Sequence, residues 1–310
     1  MENLNRYNKL NEFLKKKFGE RTLKICIDGG FSCPNRDGTL GTKGCIFCSE
    51  KGSGEHIKIP NNISRQVENY FSSYKAERAN KFIAYFQNFT NTYDSVEKLK
   101  QKYDSALIDD RIVALAIATR PDCITEEIAK LIKSYSNRYY VWVELGLQTA
   151  NDETARFINR GYEKDIFSKA VKILNKYNID IVTHIMIGLP NETHRDIENT
   201  VNFINKHNMQ GLKIHSTYVI KNTELEKLYN LNQYTPMTLD YYIKEACFVL
   251  THISQNIVIH KISGDAPKDL LIAPNWNLHK KWIMNGIDKY LKENNLYQGK
   301  FYNANACNIM

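Results

Sequence analysis

Short β-branched or aromatic runs alternate with longer amphipathic stretches through most of this 310-residue chain. The strand candidates are residues 22–28, 82–87, 112–118, 141–147, 179–187 and 212–220. Helical spacing fills the intervals at 63–78, 95–105, 125–135, 164–177 and 193–208. Alternating strands and helices predict parallel βαβ units, and continuous apolar runs such as IVALAIA fit strands buried on both faces. The pattern therefore predicts an α/β fold, either a doubly wound open sheet or a partial (β/α)6 barrel.

The two ends of the chain depart from this alternation. Residues 1–20, which include RYNKLNEFLKKKFGE, have the spacing of a helix that leads into the first strand. After residue 235 the candidates are a helix at 238–252, a strand at 256–262 and a final helix at 277–294. We therefore predict an N-terminal helix (1–20), a barrel (21–235) and a C-terminal α/β extension packed on the barrel (236–310).

Charge and cysteine content restrict the class of protein. Lys and Arg outnumber Asp and Glu by 42 to 34, and the formal charge of +8 fits a polyanionic partner or a mildly basic enzyme surface equally well. No apolar run resembles a signal peptide or reaches the ~20 residues of a membrane helix. We therefore expect a soluble cytoplasmic protein without a membrane partner. Seven cysteines are an odd number for a disulfide framework, so a cysteine cluster indicates metal binding or catalysis.

Three cysteines stand in the loop after the first strand candidate, in the segment CPNRDGTLGTKGCIFC. Cys33, Cys45 and Cys48 have the spacing C-x11-C-x2-C, and the glycines of the spacer let the backbone fold back on itself. Thiolates select zinc, copper(I) or iron–sulfur clusters. A structural zinc site needs a fourth ligand, either Cys26, in a strand pattern typical of a buried residue, or His56, in a polar loop. The isolated cysteines are Cys123, Cys247 and Cys307.

These cysteines and the polar strand ends together resemble the radical S-adenosylmethionine (SAM) superfamily, whose [4Fe–4S] cluster has three cysteine ligands and one iron open to SAM. The usual spacing in that superfamily is C-x3-C-x2-C. The longer loop here, together with ISGD…LLIAPNW near the C-terminus, is similar to bacterial stand-alone proteins related to the catalytic subunit of Elongator. The likeness extends over residues 5–295 and implies a radical SAM barrel with Cys33, Cys45 and Cys48 as cluster ligands.

The resemblance also implies contacts to SAM. The segment FQNFTNT takes the place of a Gly-rich FGGGTPT that contacts the methionine amino group, and Gln87-Asn88-Phe89 replace its glycines. A side-chain carbonyl from Gln87 is therefore expected in place of a backbone contact. The full implied set is Phe47, Ile187 and Gly188 at the adenine, Gln87, Thr90 and Thr92 at the amino group, Glu144 and Gln148 at the ribose or amino acid part, and Arg160 at the carboxylate.

Several polar positions fit a purely structural role as well. Phe47 also fits a hydrophobic shield over the cluster, and Arg160 an exposed helix residue. Arg120 and Asp122 of the TRPD segment also fit a salt-bridged turn. The inward strand positions Lys213, His184, His215 and Tyr218 are polar, and His184 fits a core histidine as well as a substrate contact. The substrate-side catalytic candidates are His184, His215 and Tyr218.

The resemblance implies that a reduced cluster cleaves SAM to a 5′-deoxyadenosyl radical, with flavodoxin or ferredoxin as an electron donor. Elongator relatives modify the wobble uridine of tRNA with an acetyltransferase-like domain, for which the residues after 235 are too few. The expected reaction is a simpler radical step on the C5 side chain of that uridine, for example from carboxymethylaminomethyl to aminomethyl.

Basic groups are available for tRNA phosphate, although each run is also typical of a solvated helix face. These groups are Lys15, Lys16, Lys17, Lys280, Lys281, Lys289 and Lys292. Two alternative functions stay open. One is a radical SAM enzyme with a small-molecule substrate, such as a porphyrinogen or an amino-acid derivative. The other is a non-enzymatic zinc-binding adaptor.

Overall fold

The computed structural model describes residues 5–52, 54, 57 and 62–303. Seven parallel strands form one sheet in the order β1-β2-β3-β4-β5-β6-β8. They are β1 (Thr22–Ile27), β2 (Lys81–Phe86), β3 (Ile112–Thr119), β4 (Tyr140–Gln148), β5 (Asp180–Ile187), β6 (Gly211–Ser216) and β8 (Val258–Lys261). The short strands β7 (Val219–Ile220) and β9 (Leu271–Ala273) form a separate antiparallel pair. Since the strand order never reverses, the sheet is a partial barrel and not a doubly wound sheet.

Ten helices of the described chain accompany these strands. They are α1 (Leu10–Phe18), α2 (Ile63–Phe71), α3 (Val96–Asp104), α4 (Glu126–Ser134), α5 (Asp152–Phe157), α6 (Lys164–Lys176), α7 (His194–Asn205), α8 (Glu224–Asn230), α9 (Leu239–His252) and α10 (Lys280–Glu293). The large core lies between the outer face of the sheet and the helices, with Phe86, Leu99 and Phe167 among its fully buried members. The N-terminal helix is confirmed as α1.

The composition of β3 explains how the barrel interior is filled. Ala114, Ala116 and Ala118 face inward beside Trp142, whereas the larger residues between these alanines pack outward against the helices. Small side chains on one strand leave room for a large one on its neighbour, as close packing requires. Since strand residues alternate between faces, this order of sizes fixes which face of β3 is the interior.

Two predicted elements are shorter than expected. The strand candidate 212–220 divides into β6 and β7, because Val219 leaves the main sheet to pair with Ala273. The helix predicted over 63–78 ends at Phe71, where the hydroxyls of Ser72 and Ser73 bond back to Glu68 O (3.0 Å) and Tyr70 O (2.6 Å). Such side-chain bonds compete with continuation of a helix.

The C-terminal region contributes to the barrel itself. Residues 258–261 form β8, which pairs with β6 as the seventh strand of the sheet. The partial barrel is thus confirmed with one strand more than the six predicted. The domain boundaries at residues 20 and 235 stay predictions.

Candidate functional site

The polar strand ends lie at one edge of the sheet, because all seven strands are parallel. At the opposite edge, Leu10 and Leu14 of α1 pack against Trp142 and Val258 and close the barrel interior. The loops that follow β1 to β6 therefore surround the open edge, which we call the barrel mouth. This is the edge at which parallel α/β proteins place their chemistry.

Hydrogen bonds connect the cysteine loop, residues 28–48, to the turn after α5. Asn159 Nδ2 donates to Gly44 O (2.7 Å), and Asn35 Nδ2 donates to Asn159 O (2.6 Å). Gly44 has φ 73°, and a Cβ there would lie 2.7 Å from Arg36 Nε. A glycine is needed at this position both for its backbone conformation and for space. Contacts across the sequence thus hold the turn that carries Cys45.

Cys33, Cys45 and Cys48 form one electrostatic group. Cys48 N–H donates to Cys45 O (3.0 Å), so these two cysteines share a tight turn. Burial, together with the nearby Cys48 and Cys33, raises the pKa of the Cys45 thiol to about 12, against the opposing effect of Arg120. Asn35 Nδ2 lies 3.9 Å from Cys45 Sγ. Thiols that oppose each other's ionisation become thiolates when a cationic centre binds among them, so the donor set fits an iron–sulfur cluster.

The other cysteines lie outside this loop. Cys26 is on β1, packed in the apolar barrel interior, where burial raises its pKa. Cys123 lies in the turn after β3, where burial and Asp122 raise the pKa of its thiol and Cys33 adds to that effect. No three His, Cys, Asp or Glu side chains of the described residues are placed to hold a single metal ion. His56 and Cys307 lie outside the described residues.

Arg160 is the most deeply buried cation at the mouth, with 1% of its surface exposed. Its Nη1 donates to Leu147 O and to Thr149 O (2.7 Å), and its Nε donates to Tyr162 O (2.9 Å). Arg160 Nη2 is buried and makes no hydrogen bond among the described residues, and Asp152 Oδ1 lies 3.7 Å from it as a distant ion-pair partner. The interpretation of Arg160 as an exposed helix residue is therefore wrong. A guanidinium N–H without a hydrogen bond at this place fits the carboxylate of a bound amino acid, which would have to compete with Asp152 for it.

Gln148 ends β4 beside Arg160, with φ 58°. Its Oε1 lies 3.3 Å from Tyr162 Oη, which donates to Gly146 O (2.7 Å). Tyr162 thus contacts the side chain of Gln148, the residue predicted to bind the cofactor. The turn of Arg120 and Asp122 is salt-bridged as predicted, with Arg120 Nη2 at 2.7 Å from Asp122 Oδ2.

The three residues after β2 that were predicted to contact the amino group of SAM, Gln87, Thr90 and Thr92, differ in their surroundings. Thr92 Oγ1 donates to Cys123 O (2.7 Å) and contacts Thr119 Oγ1 (2.6 Å), so its hydroxyl joins β2 to β3. Thr90 is 1% exposed, and its Oγ1 has no partner among the described residues. Gln87 is partly exposed. Of the two threonines, Thr90 is therefore the one with an available hydroxyl.

The end of β5 forms one side of a cleft at the mouth. Gly188 has φ 84°, and Tyr234 Oη donates to Gly188 O (2.8 Å). A side chain on Gly188 would collide with Met237, since its Cβ would lie 2.1 Å from Met237 Cε. Phe47 packs in the apolar cluster that includes Leu189. Phe47 and the backbone at Ile187 and Gly188 therefore lie on the same side of the mouth.

Glu144 occupies the centre of the barrel interior and is fully buried. Its carboxylate accepts from Tyr85 Oη (2.8 Å) and Trp142 Nε1 (3.1 Å), and pairs with Lys213. His184 Nε2 lies 3.0 Å from it. All of these partners belong to the barrel wall, so the carboxylate of Glu144 balances the charge of lysines inside the barrel. Glu144 has no exposed surface with which to contact the SAM ribose.

His184 and His215 face each other above Glu144, with ring centroids 5.4 Å apart. Burial and Lys213 lower the pKa of His184 to about 4, so its imidazole is neutral. Tyr218 lies at the rim, where its Oη donates to Asp265 O (3.5 Å). The structure therefore brings His184 and His215 together and places the hydroxyl of Tyr218 beside Asp265.

Sequence reasoning missed several residues of this interior. Lys24 of β1 lies 3.7 Å from Glu144 Oε1, and Lys261 of β8 lies 2.8 Å from Asp265 Oδ2. A signal for Lys24 existed, because a lysine in the strand run TLKICID is costly to bury unless it is paired. Lys261 gave no such signal, since its strand was assigned to the extension.

Two of the predicted basic groups lie at different edges of the barrel. Lys17 of α1 stands over the ring of Tyr140, at the closed edge of the barrel. Lys280, at the start of α10, reaches Asp265 (3.7 Å) at the mouth. Lys17 and Lys280 therefore do not belong to one surface around the mouth.

Comparison with known proteins agrees with this geometry. Residues 37–204 match the model of the Radical SAM superfamily, and residues 209–293 match that of the Radical_SAM C-terminal domain. The chain is 37% identical to uncharacterized protein YtqA of Bacillus subtilis over 96% of this chain and 93% of that protein. It is 32% identical to a tRNA uridine(34) acetyltransferase of Dehalococcoides mccartyi over 46% of this chain and 30% of that protein.

The fold is similar to that of a solved structure, the archaeal Methanocaldococcus infernus Elp3 with an N-terminal deletion. The TM-score is 0.66 at 16% identity, covering 89% of this chain and 64% of that chain. In the part of the chain that the structure describes, none of the helices has the length and apolarity needed to cross a bilayer.

Proposed function

The chain belongs to the radical SAM superfamily, and on that premise we propose that it modifies the C5 side chain of the tRNA wobble uridine. Its cofactors are a [4Fe–4S] cluster and SAM, as in the family. When bound and reduced, the cluster supplies the electron that cleaves SAM to a 5′-deoxyadenosyl radical, which takes a hydrogen atom from the substrate.

The conversion that we propose is from carboxymethylaminomethyl to aminomethyl. Loss of a hydrogen atom and then of an electron and a proton from the C–H and N–H beside the carboxylate would give an imine, with SAM as the net two-electron oxidant. Water would then hydrolyse the C=N bond and release the carboxymethyl unit as glyoxylate.

The observation that carries the tRNA proposal is the partial match to the tRNA uridine(34) acetyltransferase, which covers 30% of that protein. The C-terminal part of the described chain supplies α9, β8, β9 and α10, and β8 joins the main sheet. The proposal concerns the radical step, which is the chemistry of the superfamily to which the chain belongs.

The proposed cofactor contacts follow from the site. Cys33, Cys45 and Cys48 would hold the cluster, and the amino acid end of SAM would bind beside it. Arg160 Nη2 donates to the SAM carboxylate, because it is a buried cationic donor at the mouth that makes no hydrogen bond among the described residues, its partner Asp152 lying 3.7 Å away. Thr90 donates its available hydroxyl to the same end of the molecule.

Gln148 would contact the ribose of SAM, and the backbone at Ile187 and Gly188 would contact the adenine beside Phe47. The apolar base of the barrel, closed by α1, would exclude bulk water from the interior. A flavodoxin or ferredoxin donates the electron.

Nucleoside mass spectrometry of tRNA from a strain that lacks the gene tests this function. We expect carboxymethylaminomethyluridine to accumulate at the wobble position and its aminomethyl product to disappear. The wild-type gene and a Cys247→Ala control restore the product, whereas Cys48→Ala does not. Cys247 is buried between α9 and α10, away from the cysteine loop, so it controls for cysteine loss as such. An unchanged wobble-uridine profile would contradict the tRNA proposal and favour a small-molecule substrate.

A further inference from the structure

The barrel interior and its rim have more lysine than carboxylate side chains in these two groups. Lys24 and Lys213 both pair with Glu144 in the interior, and Lys261 and Lys280 both pair with Asp265 at the rim. Burial lowers the pKa of Lys213 to about 7, which reduces the surplus of positive charge in the interior and leaves it at Lys261 and the rim. Buried charge of one sign is costly unless a counter-charge compensates it.

The members of this group differ in depth. Glu144 and Lys213 are sealed, with side-chain exposures of 0% and 6%. The side chains of His184 and Lys261 keep 20% and 22% of their surface exposed. His215 is partly exposed as well. A molecule that enters through the mouth therefore meets His184, His215 and Lys261 and does not reach the sealed pair.

The histidines of this wall also have unused nitrogen atoms. His215 Nε2 and His260 Nδ1 are shielded from solvent without a hydrogen-bond partner among the described residues. After burial, the positive charge of Lys261 is the largest influence on His215, and it holds the pKa of that imidazole well below its usual value. A neutral imidazole keeps one N–H to donate, and an anion is the acceptor that this charge favours.

The partner of Lys261 leaves room for such an anion. Asp265 is 62% exposed, lies at the rim and is shared with Lys280. An exposed carboxylate contributes little to holding a lysine, because water competes for both groups. Lys261 therefore has a counter-charge that a buried ligand displaces at low cost.

We infer that the wall formed by β6 and β8 binds a carboxylate of the substrate, with Lys261 and His215 as its direct contacts. The inference rests on the proposed function, because the carboxymethyl group of the modified uridine is the part that carries this charge. Held there, the carboxylate fixes the methylene group next to it inside the barrel. The wall then selects the carboxymethylaminomethyl side chain against uncharged side chains of the same uridine.

Binding of synthetic anticodon stem-loops to the oxidised holoenzyme with SAM tests this inference, since no turnover occurs without a reductant. One stem-loop carries carboxymethylaminomethyluridine, and the other carries methylaminomethyluridine, which has the amine without the carboxylate. Fluorescence anisotropy gives both dissociation constants. We expect the wild-type enzyme to prefer the carboxylate by about tenfold or more, as for a charge-assisted hydrogen bond.

Single-residue variants distinguish the contribution of the β6–β8 wall to this preference from that of the surface around it. Lys261→Met or His215→Phe removes most of the preference, whereas Lys261→Arg keeps it and shows that the barrel still folds. Lys280→Met is the matched control, because this lysine shares Asp265 but is 61% exposed on α10. We expect it to weaken both stem-loops equally. Equal binding of the two stem-loops by the wild-type enzyme, or a preference that survives both Lys261→Met and His215→Phe, overturns the inference.

A second pair of ligands separates failure of the tRNA proposal from failure of the carboxylate site. If neither stem-loop binds better than an unrelated hairpin, the proposed function fails. Calorimetry with N-benzylglycine and N-methylbenzylamine then tests the wall directly. Selective binding of the glycine derivative, lost in Lys261→Met and kept in Lys280→Met, supports the carboxylate site independently of tRNA. Absence of selectivity overturns it.

Discussion

Replacing Lys213 by Met tests whether the buried charges of the barrel interior hold one another. Glu144 is 0% solvent-accessible, so water does not replace Lys213, which is its closest cation. Removing one partner of a buried ion pair costs about 3–5 kcal/mol. Lys24, Tyr85 and Trp142 remain within 3.7 Å of the carboxylate, so we expect the lower end, about 3 kcal/mol.

A double-mutant cycle isolates the pairwise contribution. Glu144→Gln keeps an acceptor for Tyr85 and Trp142 while removing the charge. We expect Lys213→Met combined with Glu144→Gln to be more stable than the sum of the single variants predicts, by about 2 kcal/mol. Anaerobic urea unfolding followed by circular dichroism gives the four free energies. Lys281→Met, on the exposed face of α10, controls for the loss of a lysine and changes stability by less than about 0.5 kcal/mol.

Two results would refute this reasoning. A cost below about 1 kcal/mol for Lys213→Met would show that Glu144 is compensated without it. Strict additivity of the two substitutions would show that the groups do not interact across the barrel.

Three further predictions concern the mouth and the base of the barrel. Arg160→Gln weakens SAM binding about tenfold or more with unchanged iron content, measured by calorimetry, and equal affinity in this variant and an Arg156→Gln control contradicts the carboxylate contact. Leu14→Ala destabilises the protein by about 2–5 kcal/mol, because Leu14 is 2% exposed and fills the closed end of the barrel; a cost near zero would mean that α1 does not seal it. Burial raises the pKa of Glu192 to about 7 from 4.5, so the folded protein binds a proton that the unfolded chain lacks in this range, and stability falls as the pH rises from 4.5 to 7. Glu192→Gln flattens that decline in thermal unfolding, and an unchanged pH profile would contradict the shift.

The strands were predictable because burial on both faces leaves a strong pattern. In β3 every residue from Ala114 to Thr119 is buried, and the sequence there is continuously apolar up to its last residue. The cysteine loop was predictable because three thiols on one glycine-rich loop are typical of a site that binds a metal or a cluster. Both signals are local, and each is complete within a short stretch of the chain.

Contacts between distant residues were not predictable in this way. Glu144 pairs with Lys213, 69 residues away, and no local pattern indicates which lysine compensates a buried carboxylate. The same holds for β8, which joins the barrel through pairing with β6. The expected contact of Glu144 with the ribose followed from its place on the strand. Glu144 is buried because side chains of several strands surround it inside the barrel. The sequence of β4 alone does not indicate this burial.

Reaction of the reconstituted enzyme with tRNA from the strain that lacks the gene tests the central claim most directly. Under anaerobic conditions with a reductant, mass spectrometry follows 5′-deoxyadenosine and the wobble nucleoside together. We predict that 5′-deoxyadenosine forms in step with the loss of carboxymethylaminomethyluridine and the appearance of aminomethyluridine, and that Cys48→Ala abolishes all three changes. Formation of 5′-deoxyadenosine at the same rate with and without that tRNA, and with the nucleoside unchanged, would contradict it.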